Sequence, residues 1–318
     1  GLKIVSSVID KPNAKMDLKS GALSVSGVSF VELSDSNQVS VFPYGGDLVV
    51  HQNRDFTFDG VVETGRFALY GKNINFVYDS FELAFNNIDS LQYAVPSDLY
   101  DNIGRPINWA VNTVISDLVG TLSIDAPNNK SGLIDYPEFP KLKSVKDSYI
   151  YYDSIKDGVY ERDLFSFKVD PFQLDSLHII DTYGLEFPGN LNAPSIFPLF
   201  RDTLTLNDDL ELSFIHEIKS KYSVYQGKGS FSNKLHLNNS GLSGEGTIYY
   251  LNSVTETDSV YFYPNQVLAS ADKYDISEQI SPFNIPKVSV SNANIDWRPY
   301  LDEMKSSNRV ELFECYQD

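Results

Sequence analysis

The sequence predicts a mainly β protein: an elongated repeat of short, mostly antiparallel strands, closed as a folded-over sheet, a sandwich or a solenoid. Three observations lead there. The chain holds 20 Tyr and 20 Phe but only 2 Trp, and Tyr and Phe favour pleated, half-buried surfaces. Apolar residues alternate at period two through most of its length. Turn residues recur so often that no room is left for crossover helices, so neighbouring strands should be antiparallel or stacked in coils.

The elements follow in order. In "ALSVSGVSFVEL", Leu23 and Val25, then Val28, Phe30 and Glu32, step by two after a glycine shift. "NQVSVFPYGGDLVVH" reads as a strand, a turn and a strand. From Arg54 to Phe85, pairs such as Phe56/Phe58, Phe67/Leu69 and Phe76/Tyr78 share faces. Asp59-Gly60, Gly65, Gly71-Lys72-Asn73 and Asp79-Ser80 read as the intervening turns. One segment departs from this rhythm. Ile103, Ile107, Val111, Val114, Ile115 and Leu118 recur at threes and fours, which predicts one amphipathic helix near 105–118. Pro106 suits its first turn and Gly120 its end.

Leu122 to Asp163 reads as a long irregular loop until "SYIYYD" restores alternation. "GLEFPGNLNAPSIFP" is a second loop, and β rhythm resumes from Thr203 to Ile276. Pro282–Pro286 resembles a linker, and "VSVSNANIDWRPYLDEM" starts a further β element. The expected organisation is therefore a β unit ending in the helix (1–121), a loop-rich unit (122–202), a β unit (203–281), and a linker with the start of another unit (282–318). Gly1 and the strand-like close "RVELFECYQD" suggest a piece of a longer protein.

Composition excludes some functions. At 42% hydrophobic and 21% charged residues among 318, the chain can bury a substantial core. A net charge of −18 opposes nucleic acid and anionic membrane surfaces, which are bound through Lys and Arg clusters. Cys315 is the lone cysteine, so no internal disulfide forms. No apolar run approaches the length of a membrane helix.

One motif recurs. "FVYDSFEL" (Phe76–Leu83) and "FKVDPFQL" (Phe167–Leu174) match at Phe, Asp, Phe and Leu, each followed by Asp-Ser-Leu. Asp-Ser and Asp-Pro are turn or kink chemistry, so both copies should be corners where a strand bends and continues. The alternative makes Asp79 and Asp170 paired catalytic carboxylates or calcium ligands, but each stands without a second acid close by. "VYFYPNQVLA" is a fainter echo, with Pro264 at its corner.

Chemistry-bearing residues do not assemble into a motif. His51, His178, His216 and His236 are scattered, without zinc spacing. "GLSGEG" is not a nucleophile elbow and "YQGKGSF" is not a phosphate loop. Cys315 lacks neighbours that would activate it. Asp153, Asp157, Glu161 and Asp163 form an acidic cluster that reads as a solvated turn around Asp157-Gly158, with calcium as its alternative. The Tyr pairs 149/151, 249/250 and 261/263 read as sheet faces, with sugar stacking as theirs. No catalytic, cofactor-binding or metal residue is assigned, no cofactor is expected, and ligand-binding residues stay open.

Stretches such as "DFTFDGVVETGRFALYGKNINFVYDSFEL" and "GLSGEGTIYYL" followed by "DSVYFYPNQVLASAD" resemble the β-repeat regions of very large envelope proteins of Gram-negative bacteria. The pattern is also similar to the folded sheets that bridge the periplasm in lipopolysaccharide and lipid transport. The resemblance implies a periplasmic or cell-surface location and a non-enzymatic role as spacer, scaffold or conduit. Its partners would be other parts of a longer chain or envelope proteins, with glycan or lipid as further candidates. Two other classes stay open. One is a glycan- or protein-binding module using exposed Tyr and the loops Leu122–Lys146 and Gly184–Phe200. The other is a carbohydrate-active enzyme whose acids gather across the coils of a solenoid.

Overall fold

The computed structural model describes residues 3–7, 12–308 and 314–316. It is mainly β, with antiparallel ladders throughout the described pairings. The chain gathers into two compact units. One comprises the residues up to Ile150 with Lys168–Phe187 and Asp208–Leu210; the other comprises Tyr151–Phe167, Pro188–Asn207 and the residues from Glu211 onward.

The first unit is built on a sheet whose central strands are Val39–Pro43, Phe56–Thr64, Phe67–Val77, Glu82–Tyr100 and Leu118–Ser123, in that spatial order. Aromatic side chains fill its core. Phe56 lies 4.8 Å from Phe76, and Phe76 lies 6.1 Å edge-on from Phe81. The second sheet is a meander from Leu212–Val224 through Gly229–Asn238, Gly241–Tyr250, Ser253–Tyr263 and Gln266–Ile276 to Lys287–Arg298 and Glu303–Asn308. Its core holds Phe197, Phe231 and Phe262 within 6.4 Å of one another, and a fully buried Trp297 packed on Tyr225 and Tyr250.

The expected helix does not form; the described residues contain no α-helix. Pro106–Ala110 is a strand paired with Glu82–Tyr100 around a turn at Asp101–Gly104. The Asp101 carboxylate makes that turn by accepting the backbone N–H groups of Ile103 and Arg105. Beyond it the buried positions are Val111, Thr113 and Ile115, then Leu118, Gly120 and Leu122. Two period-two runs are joined out of step at Asp117, whose φ is +59°. Their overlay imitates the three-and-four spacing of a helix, while Ile103 and Ile107 remain exposed.

Several expected turns also lie inside strands. Gly65 and Asp79-Ser80 are turns, but Asp59-Gly60 and Gly71-Lys72-Asn73 sit within Phe56–Thr64 and Phe67–Val77. The register shifts at both places. In Phe67–Val77 the buried set changes parity across the exposed pair Lys72-Asn73. The same thing happens in the second unit at Asp258-Ser259, Asp272-Lys273 and Ser291-Asn292. Bulges bend a strand and raise its twist, so each sheet carries a crease running across its strands. Glycine makes the close approach there possible. A Cβ on Gly120 would stand 1.9 Å from the Lys143 carbonyl oxygen, and one on Gly246 would stand 2.0 Å from that of Ser232.

The two copies of the repeated motif differ. Phe76–Leu83 is a hairpin, with Phe76 paired to Leu83 and Val77 to Glu82, so the chain reverses there instead of bending and continuing. The Phe81 ring is buried although its φ is +57°. The second copy behaves as expected of a corner: Ser166–Val169 belongs to one sheet, and after Asp170 and Pro171 the chain joins the other as Gln173–Leu174. The echo at Pro264-Asn265 is again a hairpin, pairing Tyr263 with Gln266. The expected loop after Leu122 contains an unforeseen strand, Lys141–Ser144. The second expected loop, 184–198, contains another, Glu186–Asn192, because its apolar residues Phe187 and Leu191 alternate into the core. Most of the closing stretch from Arg309 lies outside the described residues; Glu314–Tyr316 pairs with Lys287–Ser289.

Candidate functional site

The crease in the second sheet has a side-chain consequence. Thr257 stabilises it by donating its hydroxyl to the Ser270 carbonyl at 2.7 Å and accepting the Ser259 N–H at 3.1 Å. On its far side, register sets Tyr261 opposite Leu268, Leu268 opposite Asp296, and Asp296 opposite Lys305. One residue pair nearer the crease, a second row runs Ser259, Ser270, Asn294, Ser307. Both rows point away from the core, because Val260, Ala269 and Ile295 between them are buried.

Long side chains in one row and short ones in the other leave a trough. Its volume is about 680 Å³. Tyr261 is 40% exposed at one end. The Lys156 ammonium lies 5.9 Å from its ring centre and is held by the Tyr263 hydroxyl. The Asp296 carboxylate is oriented by Gln266 Nε2 at 2.8 Å and by Arg298 Nη2 at 3.6 Å. Lys305 is paired with Glu303 at 3.1 Å. The trough therefore offers an aromatic face, an oriented acceptor, an amide, hydroxyls and one ammonium.

A second arrangement lies in the same unit. His216 Nδ1 is 2.7 Å from Asp202 Oδ2, and Nε2 is 3.2 Å from the Tyr222 hydroxyl. The imidazole also stacks on Phe200 at 4.4 Å. His216 and Tyr222 belong to one strand, where six regular residues would span about 20 Å. They meet because Lys219–Lys221 bulge out between Ile218 and Tyr222. An Asp–His–Tyr chain can pass a proton, yet its members are spent on one another and on Phe200. The arrangement closes the bulge.

A third feature is an apolar pocket of about 380 Å³ between the Leu251-Asn252 turn and the Gln279–Ile285 segment, walled by Tyr274, Phe283 and Met304. Elsewhere, buried hydroxyls tie loops to sheets. Tyr160 donates to the Phe262 carbonyl at 2.7 Å and Tyr225 to that of Tyr263 at 2.9 Å. Burial pushes the phenols of Tyr93, Tyr152, Tyr160 and Tyr225 above the ordinary tyrosine range, and the Glu211 charge adds to the rise at Tyr152.

The residues weighed from sequence fall as follows. Asp79 sits on a hairpin loop where its backbone carbonyl accepts Lys130 Nζ at 3.0 Å. Asp170 lies in the sheet-to-sheet crossing and adds to the negative field around Lys168. Asp153 pairs with Arg162 at 2.6 Å, and Asp157 stands in a short turn with φ +58°. Arg162 covers Tyr151 and Lys221 covers Tyr249, while Tyr250 packs in the core against Trp297. Of the six paired tyrosines, Tyr261 lines the trough, and Tyr149 lines a hollow of about 550 Å³ beside Asp117, Asp147 and Pro171. His51 is exposed in a turn, and His236 lies on a strand beside Ser243. Among the described residues no three His, Cys, Asp or Glu side chains gather as metal ligands. Sequence reasoning read His216 as one of four scattered histidines and missed its Asp202 and Tyr222 partners, which a bulge and a neighbouring strand supply. It missed the polar rows because they depend on register across strands.

Fold and trough together define an antiparallel β protein that presents a mixed aromatic and polar sheet face. Comparison with protein-family models, with curated proteins and with solved structures finds no match to this chain.

Proposed function

We propose that this chain is a non-enzymatic structural segment of a bacterial envelope protein, an elongated β body acting as spacer, scaffold or part of an assembly or transport conduit at the periplasm or cell surface. The observation that supports this reading is where the aromatic side chains go. Phe56, Phe67, Phe76, Phe165, Phe167 and Phe187 are all fully buried, so the apolar surface that could line a lipid path is used for cohesion. That weighs for spacer or scaffold over conduit. Of the carboxylates weighed as catalytic, Asp79 stands on a hairpin loop and Asp170 at the crossing from one sheet to the other. Small-angle scattering should return a maximum dimension well above that of a sphere of equal mass, and fractionation of the source cells should recover the protein with the envelope. A globular scattering profile, or recovery in the cytosol, overturns the proposal. A binding role is the second reading, favoured by the trough beside Tyr261.

A further inference from the structure

The trough in the second unit goes beyond a scaffold, since cohesion needs no open, polar sheet face. Three of its properties narrow what could fill it. The first is length. Strands lie about 4.8 Å apart, so a row of four side chains extends about 14 Å, comparable to two or three linked pyranose rings. The second is charge. Lys305, opposite Asp296 in register, is paired with Glu303, Arg298 is paired with Asp296, and Lys156 is held by the Tyr263 hydroxyl. The cations at the trough are thus already engaged, and the chain carries a net −18. A phosphorylated or polyanionic ligand needs clustered cations and is repelled here. The third is chemistry. Tyr261 and Leu268 form an apolar end, and aromatic faces stack on the C–H surfaces of sugars. Beyond them, Ser259, Ser270, Asn294 and Ser307 offer short donors and acceptors to ring hydroxyls, and Asp296 supplies an acceptor already fixed in place by Gln266.

We propose that this trough binds a neutral oligosaccharide, with a pyranose ring stacked on Tyr261 and its hydroxyls bonded to Asp296 and Asn294. The site exists because of the crease. Asp258 is an added residue on its strand and Asp272 on the next, and the Thr257 hydroxyl joins the two strands by donating to the Ser270 carbonyl. The sheet thus bends just before the Ser259 row, and short side chains line the hollow that the bend opens. Affinity should be modest, in the high-micromolar to millimolar range, because the site is shallow and wet. This proposal stands apart from the scaffold reading: an envelope spacer without sugar affinity, or a sugar binder of compact shape, would each separate the two.

The test uses the full chain with maltotetraose, cellotetraose and chitotetraose as probes, read by titration calorimetry and by saturation-transfer NMR. At least one should bind. Tyr261→Ala and Asp296→Asn should each weaken it about tenfold, and Tyr261→Phe should retain most of the affinity. Tyr44→Ala, at an exposed tyrosine of the other unit, should leave it unchanged. Unaltered thermal unfolding of the variants excludes misfolding, and Tyr261 is exposed enough for its truncation to be tolerated. Failure of all three sugars at their solubility limit overturns the proposal. So does binding that survives Tyr261→Ala, or a preference for a polyanionic glycan over all three.

Discussion

Phe76–Leu83 and Phe167–Leu174 share half their residues and do different things: one reverses the chain in a hairpin, the other carries it from sheet to sheet. Phe67–Val77 and Gln266–Ile276 show the opposite. Set against each other at the kink, they share no residue, yet both bury alternate positions, expose two in a row at Lys72-Asn73 or Asp272-Lys273, and then bury Ile74 or Tyr274. The visible repeat is one of side chains, and the structural repeat is one of backbone. A corner is specified by an extra residue and room for it, and many residue types satisfy that. Phe-x-x-Asp-x-Phe-x-Leu instead satisfies any place where a strand ends and a core is near.

The largest expected effect tests how closed the two cores are. Phenols held protonated in the fold, but free to ionise once unfolded, add stability that is complete below the ordinary tyrosine value near 10 and is lost as pH rises beyond it. Alkali should therefore unfold both units above about pH 10. Tyrosinate absorbance from Tyr93, Tyr152, Tyr160 and Tyr225 should appear together with loss of near-ultraviolet circular dichroism. A rise in absorbance that runs to completion in the folded protein would show these rings to be open to water.

The crease comes next. Gly120→Ala and Gly246→Ala each drive a Cβ onto a neighbouring strand's carbonyl and should cost about 3 kcal/mol or more in denaturant unfolding. A loss below about 1 kcal/mol for both would mean the strands can part there. Third, the two motif copies should separate. Phe81→Ala empties a buried site beside Phe76 and should cost about 3–4 kcal/mol. Phe172, half-buried and touching Phe187 edge-on, should cost about 1–2 kcal/mol. Equal losses would restore the equivalence that the sequence suggests. The smallest effect belongs to Asp79→Asn, expected within about 0.5 kcal/mol of the parent. A larger shift would give its carboxylate a part in the hairpin.

Much of the fold was legible in the residues. Alternation placed β structure over Thr203–Ile276 without dividing it into strands; the chain reverses there at Asn239-Ser240, Leu251-Asn252 and Pro264-Asn265. The failures share one physical cause. An added residue shifts the phase of a strand, and a phase shift can look like a turn, as at Gly71–Asn73, or like a helix, as between Val111 and Leu118. The usable signal was two polar residues side by side within an otherwise alternating run. The trough was less accessible. Tyr261, Asp296 and Lys305 become neighbours only through the pairing of strands across three turns, and nothing local marks them as partners.

The crease also governs which changes of length the chain can survive. Between the same two cross-strand rows, the segments Ser230–His236 and Tyr249–Ser243 have no surplus residue, while Val254–Tyr261, Asp275–Leu268 and Ser289–Asp296 carry one each and Ser223–Ile215 carries two. Strands with one surplus residue swap their buried parity, and those with none or two keep it. Deleting Asp272 alone, although it is exposed, would throw that strand out of step with both neighbours. Deleting Asp258, Asp272 and Asn292 together would keep those three strands in step with one another and leave straight ribbons with the same faces turned inward. Insertions and deletions here are thus tolerated in concert, as letters in a shared frame, and not one by one.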